Sequence, residues 1–223
     1  MDRNIPKAYL GIVVMLGAVW GLSEAALGMA LRSCASSVSG SIMTGVAFFF
    51  IASAWILTRS IFGVAQLVVI TSLFKMFDAL LLSLPIRHGA VANPIFAFLT
   101  EAAAFLFLAF IFSEKLKERS AGQALMGGVA ALLAVNLFPL VKYATGIPAC
   151  VYPGTSYPLS LYYSPIAVFL SAATVPLGIW VGVRFKLLET KLEEANLGRK
   201  LRYLASPLTL ILCLAIIALI RLG

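Results

Sequence analysis

The stretch GAVWGLSEAALGMAL, residues 17–31, decides the fold. It is apolar enough to lie in hydrocarbon, yet it carries one glutamate, Glu24. The local pattern returns in FAFLTEAAAFLFLAF, residues 96–110, where Glu101 takes the matching place. A helix of roughly 20 apolar residues crosses a bilayer. Segments 8–31, 41–58, 60–85, 94–113, 123–145 and 165–184 meet that test, and 205–221 lies near its lower limit. The 223-residue chain is 61% hydrophobic and 12% charged, whereas a soluble domain carries about 25% charged residues. Backbone groups in lipid must be satisfied within their own segment, which selects helices. The alternating strands of a membrane barrel are missing. The expected fold is all-α: a polytopic bundle of six to seven transmembrane helices, one domain over residues 1–223.

The first segment begins with Arg3 and Lys7 and ends near small residues, as a signal peptide does. Its apolar run exceeds the roughly 7–15 residues of a cleavable core, so it reads as a retained span. Charge then sets orientation. With the amino terminus inside, 12 of the 17 basic residues fall on cytoplasmic segments. Only Arg32, Arg87, Lys142 and Arg221 lie at or near the other face. The positive-inside rule therefore predicts a multi-pass protein of the cell (inner) membrane with a cytoplasmic amino terminus. The net charge of +8 suits an anionic inner leaflet; no basic stretch with interleaved aromatics points to nucleic acid.

Three connections lie outside on this topology. RSCASSVSGS (32–41) is short, PIRHGAVANP (85–94) holds the only histidine, His88, and TGIPACVYPGTSYPLSLYYSP (145–165) has four prolines and four tyrosines. The prolines forbid a continuous helix there. The loop reads either as an interfacial aromatic belt or as a lid over a pocket. Cys34 and Cys150 fall on this face, either bonded to each other or free. No motif for a metal centre, cofactor or nucleophile is present, so catalysis is not expected.

The embedded charges are the main functional signal. At 1.5 Å per residue, Glu24 lies about 10 Å below the outer end of the first span. Lys75 and Asp78 lie about 10–15 Å below that of the third, and Glu101 about 10 Å into the fourth. Asn136 and Lys142 occupy the outer half of the fifth span. Ionisable groups at such depth must pair or meet water, and they usually face a cavity or pathway. Either Glu24 and Glu101 are matched with Lys142 or backbone as structural glue, or the cluster lines an outward-open pocket for a small molecule. His88, Asn93, Tyr152 and Tyr157 would complete its rim. Gly17, Gly21, Glu24 and Gly28 share one helical face, which leaves room for a neighbour, water or ligand. Ala18, Ala26 and Ala30 lie roughly opposite, where another helix can approach closely.

Two further patterns stand out. LSEAA (22–26) matches LTEAA (99–103), and MTGVAFFFIA (43–52) resembles MGGVAALLAV (126–135). These suggest an inverted repeat of three plus three spans, although inversion should carry Glu101 toward the inner face. KLLETKLEEANLGRKLRYL (186–204) is the one long charged stretch, expected to be a cytoplasmic amphipathic segment on the inner leaflet.

GAVWGLSEAALGMALR (17–32), SGSIMTGVAFFF (39–50) and ANPIFAFLTEAAAF (92–105) resemble the substrate-binding S components of energy-coupling factor (ECF) transporters. The resemblance spans roughly residues 8–184; a seventh span departs from it. It implies capture of a vitamin-like micronutrient outside the cell. A transmembrane T component and a pair of cytoplasmic ATPases would then drive release inside. The family's Ala-xxx-Ala motif, which contacts the T component, is matched by Ala26 and Ala30. No Walker A sequence is present, so ATP hydrolysis is not expected of this chain. The rival reading is an autonomous secondary transporter in which Glu24 and Glu101 take up and release protons.

Overall fold

The computed structural model describes residues 7–34, 38–112, 118–194 and 198–222. The long helices are α1 (Lys7–Cys34), α2 (Ser39–Thr58), α3 (Ile61–Leu81), α4 (Gly89–Ile111) and α5 (Ser120–Leu137). A 3-10 turn (Phe138–Leu140) and the short α6 (Val141–Thr145) and α7 (Leu159–Tyr162) lead to α8 (Ser164–Glu194) and α9 (Gly198–Leu222). Seven of these helices are long and apolar enough to cross a membrane. The protein is an all-α, polytopic membrane bundle.

Local chemistry moves several of the expected boundaries. The third span stops at Leu81 rather than 85, because Ser83 takes a left-handed φ of 52° and Leu84 N–H bonds back to the Ala79 carbonyl at 2.9 Å. The fourth starts at Gly89 rather than 94. His88 caps it, its Nδ1 accepting from Ala90 N–H at 3.2 Å, so Pro94 lies inside the helix. Within the stretch 186–204, the first part is the end of α8 and the last part is the start of α9, which begins at Gly198. The final span is a full one, Leu204–Leu222.

One apolar core joins α1 to α5 and α8, built on Trp20, Phe48, Ile51, Phe98, Phe105 and Met126. Trp20 stacks on Phe50 (centroids 6.1 Å apart) and tilts against Phe98 (4.9 Å), which ties α1 to α2 and α4. α8 packs most extensively on α2 and α5. That close approach needs glycine: a methyl group at Gly178 would overlap the Phe49 carbonyl oxygen, and one at Gly127 the Ser171 carbonyl oxygen. Ser53 donates to the Gly178 carbonyl at 2.9 Å, and Thr174 donates to the Gly45 carbonyl at 2.7 Å. Interhelical hydroxyl bonds and small residues replace the hydrophobic drive that is missing in lipid. α9 stands outside this core. It meets α1 and α3 through Cys213 and Ile217, which pack with Ala18, Ala25 and Phe74.

That contact corrects two expectations. Ala18 is fully buried within the cluster that α9 completes, so it is not free for a partner helix. Ala26 remains half-buried, and the Ala30 side chain lies outside the described residues. Gly17 and Gly21 do not form an open groove beside Glu24 either. They admit α3, whose Ile70 and Phe74 side chains occupy the space an added Cβ would need. Thr71 secures the approach by donating to the Gly17 carbonyl at 3.3 Å.

Candidate functional site

Call the bundle end that carries the 82–88 and 146–163 connections the long-loop end. Charged side chains descend from it into the bundle in three steps. Asp78, three residues before the end of α3, accepts two hydrogen bonds from Arg221 of α9. Arg221 Nε meets Oδ1, and a terminal nitrogen meets Oδ2 at 3.1 Å. The same guanidinium donates to the Ala25 carbonyl of α1 at 3.3 Å, so one side chain links α9, α3 and α1. Lys75 stands 3.6 Å from Asp78 Oδ2. Bidentate arginine–carboxylate geometry is the strong form of this interaction, and its planar fork suits a nearly buried site.

Beside this network lies a cavity of about 30 Å³, lined by Gly28, Lys75, Asp78, Ala90, Val91 and Arg221 among others. It has room for a water molecule or two. Small-molecule sites typically enclose about 300–1,000 Å³. The cavity at these residues, the mouth, is therefore far smaller than a typical small-molecule site.

Glu24 lies one turn below Gly28 on α1, about 6 Å along the axis. It is 4% exposed and accepts from Trp20 Nε1 at 3.4 Å. Glu101 lies ten residues beyond Val91 on α4, about 15 Å along that helix. It is also 4% exposed, and Thr44 of α2 hydrogen-bonds to it. At 100° per residue, Ala90 and Glu101 lie within about 20° of one face, so α4 presents the mouth and the deep carboxylate on one side. Glu101 is thus deeper than the sequence suggested, because α4 begins five residues earlier. Asp78 is shallower, because α3 ends four residues earlier. Lys75 is within electrostatic range of Glu24, and Glu24 of Glu101.

The structure therefore brings together Glu24, Lys75, Asp78 and Glu101, and it adds Arg221. The second cation of the cluster is Arg221 and not Lys142. Lys142 is exposed on α6 and forms no ion pair among the described residues. The signal for Arg221 was present as the one charged residue in 205–221. Asn136 is exposed and donates to its own helix at Leu132 (2.7 Å). His88 is an exposed helix cap. Asn93 does not line the mouth; its buried Oδ1 has no hydrogen-bond partner, and its amide lies near Gly89 on the same helix.

The tyrosine-rich loop is ordered by its own contacts. Gly146 and Gly154 both take φ of 77°, and Tyr152 N–H bonds to the Tyr157 carbonyl at 2.9 Å. Tyr152 stacks on Tyr162 with centroids 4.1 Å apart, and its hydrogen bond and charge hold the Tyr162 hydroxyl above the usual tyrosine range. Ser160 donates to the Val135 carbonyl of α5, and Ser41 of α2 to the Tyr163 carbonyl. These ties anchor the loop to α2 and α5, whereas the residues lining the mouth come from α1, α3, α4, α9 and the 82–88 turn. Tyr152 and Tyr157 are not its roof. Cys150 is an exposed free thiol and the Cys34 side chain lies outside the described residues, so the disulfide expectation gains no support.

Fold and site together define a polytopic membrane protein with a ladder of enclosed carboxylates running inward from one end. No protein-family model, curated protein or solved structure matches the chain.

Proposed function

We propose that this is a membrane transport protein in which Glu24 and Glu101 receive one positive charge, carried by the solute or by a coupling proton. One observation carries the reading: three carboxylates, Asp78, Glu24 and Glu101, are buried at successive depths below the long-loop end. The enclosed cations near them are Lys75 and Arg221, so the ionised cluster is one positive charge short of neutrality. Such an excess is costly in a low-dielectric interior unless a proton or a cation supplies the difference. Trp20 and Thr44 hold the two deeper carboxylates without adding charge. The test is solute binding by Glu24→Gln and Glu101→Gln variants, which should bind a cationic solute about tenfold more weakly.

The basic residues support an external long-loop end. In a chain whose native cysteines are replaced, because Cys150 is itself an exposed thiol in the same loop, a cysteine introduced at Thr155 should then react with an impermeant reagent added to intact cells, and one at Ser120 should not. The reverse pattern would invert the orientation.

A second reading has its own support. The main core closes over six helices without α9, as in the S components the sequence resembles. In that reading the chain captures a vitamin-like micronutrient, and a T component with paired ATPases completes the importer. Purification of the tagged chain from native membranes should then bring down a second membrane protein and ATPases. Uptake by liposomes containing this chain alone would end that reading and favour autonomous, proton-coupled transport.

A further inference from the structure

Resting on the transport reading, we infer that Asp78 is the first binding point for the incoming cationic group, and that Arg221 occupies it as a displaceable surrogate. Lys75 and Asp78 line the mouth cavity, and Arg221 sits in its wall. Arg221 makes all its described polar contacts there: two to Asp78 and one to the Ala25 carbonyl. It therefore presents to Asp78 the hydrogen-bonding cation that a substrate ammonium or guanidinium would present.

The element that carries Arg221 is suited to move. α9 is the least enclosed of the seven spans, with 11% of its best window buried against 61% for α2. It joins the bundle through the small Ala18, Ala25, Phe74, Cys213 and Ile217 cluster rather than through the main core. Releasing one ion pair and shifting one helix end leaves the α2–α8 and α5–α8 contacts in place. The charges facing Asp78 are Lys75 from its own helix and Arg221 from α9; Glu24 lies below it on α1. When a cation replaces Arg221 at Asp78, the charge at the mouth is unchanged. The ligand then stands one helical turn above Glu24.

The experiment uses Gly28→Cys, placed in a chain whose three native cysteines are replaced, in nanodiscs so that both faces are open to reagent. A Cβ at Gly28 meets no atom within 4 Å, and the residue lines the cavity. The probes are the cationic ethylammonium and anionic ethylsulfonate methanethiosulfonates. Labelling should be slow with Arg221 present and about tenfold faster in Arg221→Gln. The cationic reagent should gain more than the anionic one, and Arg221→Lys should restore slow labelling. Asp78→Asn gives a second variant: labelling should accelerate with no preference for the cation. Equal rates in the parent and both variants would overturn the latch. Acceleration in Arg221→Gln without charge preference would overturn the assignment of Asp78 as a cation site. Neither result depends on solute binding at Glu24 and Glu101, so this inference and the transport reading fail separately.

Discussion

Asp78→Ala should lower the stability of the purified protein by about 3–5 kcal/mol, the usual consequence of removing one partner of a buried ion pair. The carboxylate is 4% exposed and the Arg221 side chain 9%. Truncation leaves Arg221 with a single carbonyl contact and Lys75 without its nearest anion. The loss comes mainly from the stranded cations, not from the attraction removed. The double variant Asp78→Ala/Arg221→Ala should therefore recover much of it, because the second substitution removes the larger stranded charge. Thermal unfolding in one detergent across the two single variants and the double would check this. Strict additivity would show that Asp78 and Arg221 do not act as a pair.

Glu101→Gln should leave the fold intact and weaken binding of a cationic solute at least about tenfold, roughly 1.4 kcal/mol. Glutamine keeps the shape and the acceptor for Thr44 while removing the charge. A neutral amide costs less to embed than a carboxylate, so expression and monodispersity should be retained. Glu24→Gln should behave in the same direction, with Trp20 Nε1 still able to donate to the amide oxygen. Equilibrium binding of the cation giving the largest wild-type response provides the comparison. Undiminished binding together with loss of monodispersity would make the two carboxylates structural.

The membrane fold was legible because it follows from length and apolarity, which single segments carry by themselves. Helix ends were less so. The start of α4 depends on the His88 cap and on Pro94 being tolerated inside the helix, neither visible in an apolar window. Glu24, Lys75, Asp78 and Glu101 were found because buried charge in lipid is conspicuous in any context. Their partner was not. Lys142 and Arg221 are both basic residues near one face, and only the packing of α9 against α1 and α3 brings Arg221 to Asp78. The glycines beside Glu24 show the same limit. Their spacing defines a face, but whether ligand or helix fills it depends on where Ile70 and Phe74 come to rest.

Electrical recording from reconstituted protein on a solid-supported membrane asks whether the carboxylate ladder handles positive charge. Rapid jumps in pH, and in the concentration of organic cations, zwitterions and anions, would be applied to wild type and Glu101→Gln. A transient current on a cation or pH jump, absent from Glu101→Gln at equal protein density, is the expected result. Currents that persist unchanged in Glu101→Gln, or that arise only with anions, would show that Glu24 and Glu101 do not receive the transported charge.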